Sequence, residues 1–534
     1  MQPTSDKAAA IKMRQGPTHG ELLWRPPIYN LPAELLAEIF VIVAYLARQT
    51  VDRLSWMRIL LVCKSWYTLA CDVAGLWRVI YLNSNPDWLR VCLRRAHRCL
   101  VDMHIPELRT QDFDSAKQII LPHRHRVRAL HFCSSQNCFV NNVPDFLALQ
   151  FPALEELAFI PVEWLVKREI SLGLTADAFP GLRTLVLRGI SIPCEPRFYR
   201  SLRSLELHEM CCTRNHVTIS DLLNALDAAS PYLEELDLSR FNPILEPSQG
   251  QILQQVHLRH LQSFRMDNDF RTGAEIAKWL YIPPRVVLRL RAILPQGEPD
   301  SVDTTNRLFA AVVPPNLQVI LAPAEDLSIS IERSRFLVRV PRYTRPAIHA
   351  DGSGKRNYER IRIEIVGSYT YHDALQAAST ICASPRLTSL SVTSPQVPQS
   401  TTAWQVILDA FPLLETLVVY GRQLNIHGTV GVVFDALSAD DRSERLAPAS
   451  SSKGAARCPS LRAIYIEGPP GWDVHGQNER RNLLNLVAKC LRSRAGNACK
   501  LKALTFQSFL PIDPAGTEDL LEEMKKLVDN VIIL

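Results

Sequence analysis

The sequence predicts an α/β chain: a small N-terminal three-helix unit, then a long, irregular solenoid with parallel strands inside and helices outside. Three observations predict it. Apolar residues recur at helical spacing between residues 31 and 77. From residue 127 onward a Leu-x-x-Leu-x-Leu unit returns many times. Helical patterns fall between the copies, so short strands alternate with helices.

Residues 1–27 are polar and end in Pro26-Pro27, which blocks a helix; they read as a flexible lead-in. Lys7, Lys12 and Arg14 are followed by Gly16 and Pro17 rather than an apolar run, so the start has no signal-peptide pattern. The helical unit over 28–83 opens on Leu31-Pro32, with proline where its missing N–H costs nothing. Leu35, Leu36, Ile39, Phe40 and Val43 form the first helical pattern. Leu54, Met57, Leu60 and Leu61 form the second, and Cys63, Trp66, Leu69 and Ala70 the third. The unit closes on Leu76-Trp77. About fifty residues make a small core, so this unit should lean on a partner or a neighbouring domain.

Three blocks in this stretch resemble an F-box: Leu31-Pro32-x-Glu34-Leu35-x-x-x-Ile39-Phe40, Leu61-Val62-Cys63-x-x-Trp66-x-x-Leu69-Ala70, and Leu76-Trp77. Between Phe40 and Val62 the chain is longer than the family pattern, which predicts extra turns or a loop around Ala47 to Leu54.

Residues 84–126 read as a helical connector. Asp87 to Leu100 carries Leu89, Leu93 and Ala96 inward and Arg90, Arg94, Arg95, His97 and Arg98 outward. A second basic run follows at His123-Arg124-His125-Arg126. Neither run has aromatic side chains interleaved for base stacking, so both read as solvated faces.

The repeated unit fills 127–534. It appears as Val127 to Phe132, Leu154 to Phe159, Leu182 to Leu187, Leu202 to Leu207, Leu233 to Leu238 and Leu261 to Met266. It resumes at Leu387 to Val392, Leu414 to Val419, Leu461 to Ile466 and Leu501 to Phe506, with weaker copies near Val287, at Leu317 to Ile320 and at Tyr358 to Ile363. This array looks like an irregular leucine-rich repeat, in which each unit leaves an apolar edge that only the next can bury. Ser220 and Thr402 are candidate caps of the intervening helices. Residues 341–360 and 439–454 are expected loops, and Thr517 to Val528 an end-capping helix. Taken together, the chain resembles an F-box protein of the fungal type with a leucine-rich-repeat-like C-terminal domain.

Composition bounds the chemistry. A net charge of +6 on 534 residues does not by itself argue for a nucleic-acid partner. The thirteen cysteines are odd in number and without a CxxC pair, as in reduced intracellular proteins, cytoplasmic or nuclear. His131, Cys133 and Cys138, and the neighbours Cys211-Cys212, read as structural. Gly354-Lys355 is not a phosphate loop, because position 349 is His rather than Gly. No apolar run is long enough for a membrane span. No catalytic, metal or cofactor motif is present, so the sequence points to a non-enzyme.

The resemblance implies a substrate-recognition subunit of a Skp–cullin–F-box ubiquitin ligase. The Skp-type adaptor, and through it a cullin, would dock on Leu31, Pro32, Leu35, Ile39, Leu61, Val62, Cys63, Trp66, Leu76 and Trp77. The alternative is a repeat scaffold with no ligase role. In a repeat array the residues between the strand leucines line the concave face. This places Glu206, Glu235, Asp237 and Arg265 at a target-binding surface in the middle, and Tyr420 and Tyr465 further on. With Asp267 the middle holds four carboxylates against Arg265, which predicts a protein target presenting a basic stretch.

Overall fold

In the computed structural model, the first long helix spans Ala33–Arg48, with Pro32 at its N-cap. The structure describes residues 27–533, apart from 51, 84, 107–109, 134–142, 161–173, 191, 194, 209–216, 246–252, 295–312, 314, 333, 342–358, 368, 370, 382–385, 395–399, 422–425, 439–456, 473–476 and 510–517. The expected lead-in, Cys138, Cys211-Cys212, Gly354-Lys355 and nearly all of both expected loops lie outside those residues. The chain divides into two compact units, Met1–Ile80 with Arg90–Val101, and Tyr81–Leu89 with Asp102–Leu534.

The first unit continues with a 3-10 helix, Ser55–Leu61, the helix Lys64–Asp72 and a 3-10 turn, Ala74–Trp77. The second helical pattern of the sequence is thus a 3-10 helix. Of the extra length expected as turns or a loop around Ala47 to Leu54, the helix takes Ala47 and Arg48, with Ala44 and Ala47 buried, and the described residues from Gln49 to Leu54 are non-helical. Arg48 ties the end of this helix down by donating to the Leu76 carbonyl at 2.9 Å. Leu36, Phe40, Ala44 and Ala47, spaced at helical intervals, build the core with Trp56, Ile59, Ala70, Leu76 and Trp77.

The segment read as a helical connector holds the helices Pro86–Arg95 and Thr110–Ile120 and, between them, an unforeseen strand, Val101–Pro106. Leu89, Leu93 and Ala96 are buried as their spacing requires.

The second unit is built on a sheet of strands that follow the repeats. Strands Val127–Cys133, Glu156–Phe159, Thr184–Arg188, Ser204–His208, Glu235–Ser239, Ser263–Asp269 and Val287–Ile293 pair in parallel, in chain order. So do Asp326–Glu332, Ser389–Ser394, Thr416–Gly421, Ala463–Trp472, Ala503–Phe509 and Asn530–Ile533. Helices such as Ile219–Ala229, Tyr371–Ile381 and Gln477–Gly496 connect them. This is the arrangement expected of an irregular leucine-rich-repeat stack. Period two along each strand sends alternate residues to opposite faces. Leu130, Leu157, Leu185, Leu205, Leu236 and Phe264 are in register and buried as one row. Each fully buried Leu contributes about 1.5–3 kcal/mol.

The middle of the sheet departs from the repeat. Val287–Ile293 pairs not with the next strand in sequence but with Glu359–Val366. That strand runs antiparallel to Arg335–Pro341, which runs antiparallel to Asp326–Glu332. The chain therefore skips two positions and fills them on the way back. The neighbouring buried row crosses the inversion intact: Met266, Leu290, Ile363, Val338, Ile329 and Val392 remain in register. The weak copy at Leu317 to Ile320 is a helix, Pro315–Leu321, and the strand follows at Asp326. At the end, the helix Glu518–Leu527 is followed by the strand Asn530–Ile533, so a strand rather than a helix closes the row.

Two caps differ from expectation. Helix Ile219–Ala229 is capped by Thr218, not Ser220: Asp221 N donates to the Thr218 hydroxyl at 3.2 Å, and Thr218 N donates to the Asp221 carboxylate at 2.9 Å. Ser220 is inside the helix and buried. Ser400, not Thr402, caps Thr401–Ala410. Thr218→Ala is expected to lower stability by about 1 kcal/mol in urea unfolding, the usual cost of a lost cap, with Ser220→Ala showing no cap effect.

Candidate docking surfaces

The first unit carries two apolar stripes on one helix. Leu36, Phe40 and Ala44 face the core. Leu35, Ile39, Ile42 and Leu46, at spacings of four, three and four, mark a second face and are all exposed. Ile42 and Leu46 are each 57% exposed. Beyond the helix, Leu61 is 84% and Val62 54% exposed, and Leu31 also meets solvent. A shallow open depression is lined by Leu60, Leu61, Cys63, Lys64, Tyr67 and Thr68. A helix that is apolar on more than one side is normally buried on more than one side, and contiguous apolar surface of this kind marks interaction sites.

The residues implied as adaptor contacts divide on this basis. Leu31, Pro32, Leu35, Ile39, Leu61 and Val62 are exposed, and Cys63 and Trp66 are half-buried. Cys63 caps the helix Lys64–Asp72, its thiol accepting from Trp66 N, and the Trp66 ring packs 4.9 Å from Phe40. Leu76 and Trp77 are corrected: both are core, at most 1% exposed. Trp77 donates its indole N–H to the Ala70 carbonyl at 2.8 Å, meets Trp56 edge-on at 5.4 Å and lies under Arg95 at 4.5 Å. It holds the unit together and presents no contact surface. Ile42 and Leu46 extend the exposed face at the same helical spacing, beyond the residues the resemblance implies.

In the second unit the proposed target residues all alternate with buried apolar residues. Glu206, Asp237 and Arg265 are in register on neighbouring strands, and Glu235 and Arg265 are exposed. The carboxylates are engaged at home. Glu206 lies 3.3 Å from His208 Nε2, and Asp237 lies 3.8 Å from it. Ser239 donates to Asp237 at 2.5 Å, Arg265 approaches Asp237 at 3.7 Å, and Arg291 donates to Asp267 at 3.1 Å. Ligand atoms of Glu206, His208 and Asp237 fall within 4.8 Å of one another. With Arg265 and Ser239 already on the same groups, this is a hydrogen-bonded ion-pair cluster. Tyr420 and Tyr465 are 37% and 40% exposed, on adjacent strands in which Tyr465 opposes Val418. Away from this site, His131 pairs with Glu156 at 3.0 Å, which accounts for it structurally.

His208 holds the Glu206 carboxyl below its ordinary value through its hydrogen bond, whereas burial pushes Asp237 up. A depressed carboxyl stabilises the fold above its unfolded value, near 4.5, and that contribution is lost as pH falls through the folded value. Urea midpoints measured downward from that pH should therefore fall, and Glu206→Gln should flatten the slope. An unchanged slope would show that His208 does not hold the group.

Residues 28–83 match the F-box-like family model, and they form an F-box-like domain. No curated protein matches the chain. Among solved structures, the crystal structure of the Rad7 and Elc1 complex in yeast aligns over 72% of this chain and 89% of the other, at 12% identity and a TM-score of 0.25. Among the described residues, no helix is long and apolar enough to cross a membrane.

Proposed function

We propose that the chain is a substrate receptor of a Skp–cullin–F-box type ubiquitin ligase. The F-box-like domain docks on the Skp-type adaptor, and through it on a cullin, while the sheet of the second unit holds a protein target. The observation that carries this reading is the second apolar stripe, Leu35, Ile39, Ile42 and Leu46, left in solvent within a domain that matches the F-box-like model. A receptor of this kind makes and breaks no bond itself. It raises the effective concentration of target lysines at a conjugating enzyme. Residues 28–83 act as the docking domain, 84–126 as connector and 127–534 as the target-holding array. Co-purification of the full chain with a Skp-type adaptor and a cullin tests this. Failure to capture the adaptor would leave a repeat scaffold as the function.

A further inference from the structure

The inverted strands in the middle of the sheet create a feature that neither half of the chain carries alone. Arg265 is in register with Arg289, Arg289 with Arg362, and Arg362 with Arg339. Neighbouring strands lie about 4.8 Å apart, so four arginines stand in one row across roughly 14 Å of sheet. Their neighbours along each strand are buried: Phe264, Leu288, Ile361 and Val338. The arginines therefore share the other face, and the Arg265, Arg339 and Arg362 side chains are 52%, 39% and 33% exposed.

Like charges placed directly opposite one another in a sheet destabilise it. Local carboxylates relieve this by being shared: Arg265 approaches Asp237 at 3.7 Å. Arg339 meets Glu359 at 3.1 Å, Arg362 meets Glu364 at 3.1 Å, and Arg335 meets the same Glu364 at 3.0 Å. One carboxylate thus serves several guanidinium groups. The four strands together contain seven arginines to four carboxylates. The flanks differ sharply. Glu206, Glu235 and Asp237 lie on one side, and the uncharged Ser328 and Ser391 continue the row on the other.

We infer that this arginine row is a docking strip for an extended acidic segment of a partner protein, with several carboxylates spread along it. The charge pattern fixes the class. A row of separate guanidinium groups over about 14 Å suits a series of carboxylates better than one phosphate, which needs donors converging on a point. The surplus of arginine over carboxylate opposes the basic target that the sequence suggests. That expectation set Glu206, Glu235, Asp237 and Asp267 against Arg265 alone, whereas the four adjoining strands carry seven arginines to four carboxylates. The inference rests on the sheet holding the target and is independent of adaptor docking.

The test uses the purified full chain and a fluorescein-labelled glutamate run, read by fluorescence anisotropy. Controls are a lysine run of equal length and a Gly-Ser peptide bearing one phosphoserine. The glutamate run should bind best, and raising salt to about 0.5 M should weaken it strongly. Arg289→Gln with Arg339→Gln should lose about tenfold per arginine removed, the scale of a charge-assisted hydrogen bond. Arg94→Gln with Arg98→Gln, two exposed arginines of the other unit, should change nothing. Equal binding by the sheet double variant, equal loss in the control variant, or tighter binding of either control peptide would overturn the inference. A photo-crosslinking glutamate run on the unaltered chain covers the case of a variant that does not fold. It should label residues 263–269, 287–293, 335–341 or 359–366, and labelling confined elsewhere overturns the inference. Adaptor pull-down on the same samples separates the two readings, because it reports on the F-box-like domain alone.

Discussion

Replacing Leu35 and Leu61 together with alanine is expected to abolish adaptor capture while the chain keeps its fold. Leu35 is 48% and Leu61 84% exposed, so neither truncation opens a cavity. Substitutions at such positions usually change stability by less than about 0.5 kcal/mol. At an interface, an anchor that fills a pocket typically costs about 2 kcal/mol or more on truncation, roughly thirtyfold in affinity. Two such anchors should move a tight complex beyond detection in a pull-down. Isothermal titration with a purified Skp-type adaptor gives the magnitude, and circular dichroism checks the fold. Undiminished affinity in the double variant would remove the exposed stripe from the adaptor interface. Ile42→Ala and Leu46→Ala then extend the map. Weaker binding in either would show that the interface runs along the whole helix face.

Much of the fold is legible in the sequence, and the reason is local. A buried row needs an apolar residue at every second strand position, and Leu154-Glu-Glu-Leu157-Ala-Phe159 writes that pattern openly. The next copy sits one repeat away, so parallel neighbours follow directly from chain order. The middle of the chain breaks this logic. Arg335–Pro341 pairs with Glu359–Val366 across residues that no repeat spacing predicts, and Leu317 to Ile320 is an apolar run too short to tell strand from helix. The caps show a finer limit. Thr218 and Ser220 are both acceptable cap types, but only Thr218 has an acidic residue three positions later, Asp221, to close a reciprocal box.

The candidate sites were legible in proportion to how local they are. Leu35 and Ile39 belong to one helix, and the sequence alone places them on one face. Trp77 could not be sorted from them, because the same apolar character suits a core and an interface. The arginine row was invisible for a different reason. Arg265 and Arg339 lie far apart in the chain, and only the inverted strand order brings their row together. Counting charge along the sequence gave the middle of the array a net acidic character, and counting it along the sheet gives a basic strip beside an acidic one.

Trp77→Ala is expected to unfold the F-box-like domain locally rather than merely weaken its surface. The side chain is 1% exposed, and its removal from a well-packed core costs about 3–5 kcal/mol. The hydrogen bond to the Ala70 carbonyl is lost as well, and Arg95 loses the ring on which it lies. A core of about fifty residues has little reserve, because small domains bury too small a share of their surface. The chain has two compact units, so a single melting temperature would not isolate the effect. Amide hydrogen exchange does. Protection in Ala33–Arg48 and Lys64–Asp72 should collapse, with the strand Ser204–His208 followed in the same experiment as an internal reference. Trp77→Phe keeps the ring and loses the indole donor, so it should retain most of that protection at a cost of about 1 kcal/mol. Adaptor binding should be lost in Trp77→Ala and largely kept in Trp77→Phe, the pattern of a residue that supports the surface from beneath. If Trp77→Ala kept full protection in both helices yet lost the adaptor, Trp77 would be a direct contact after all, reached by the adaptor only through an opening of the domain.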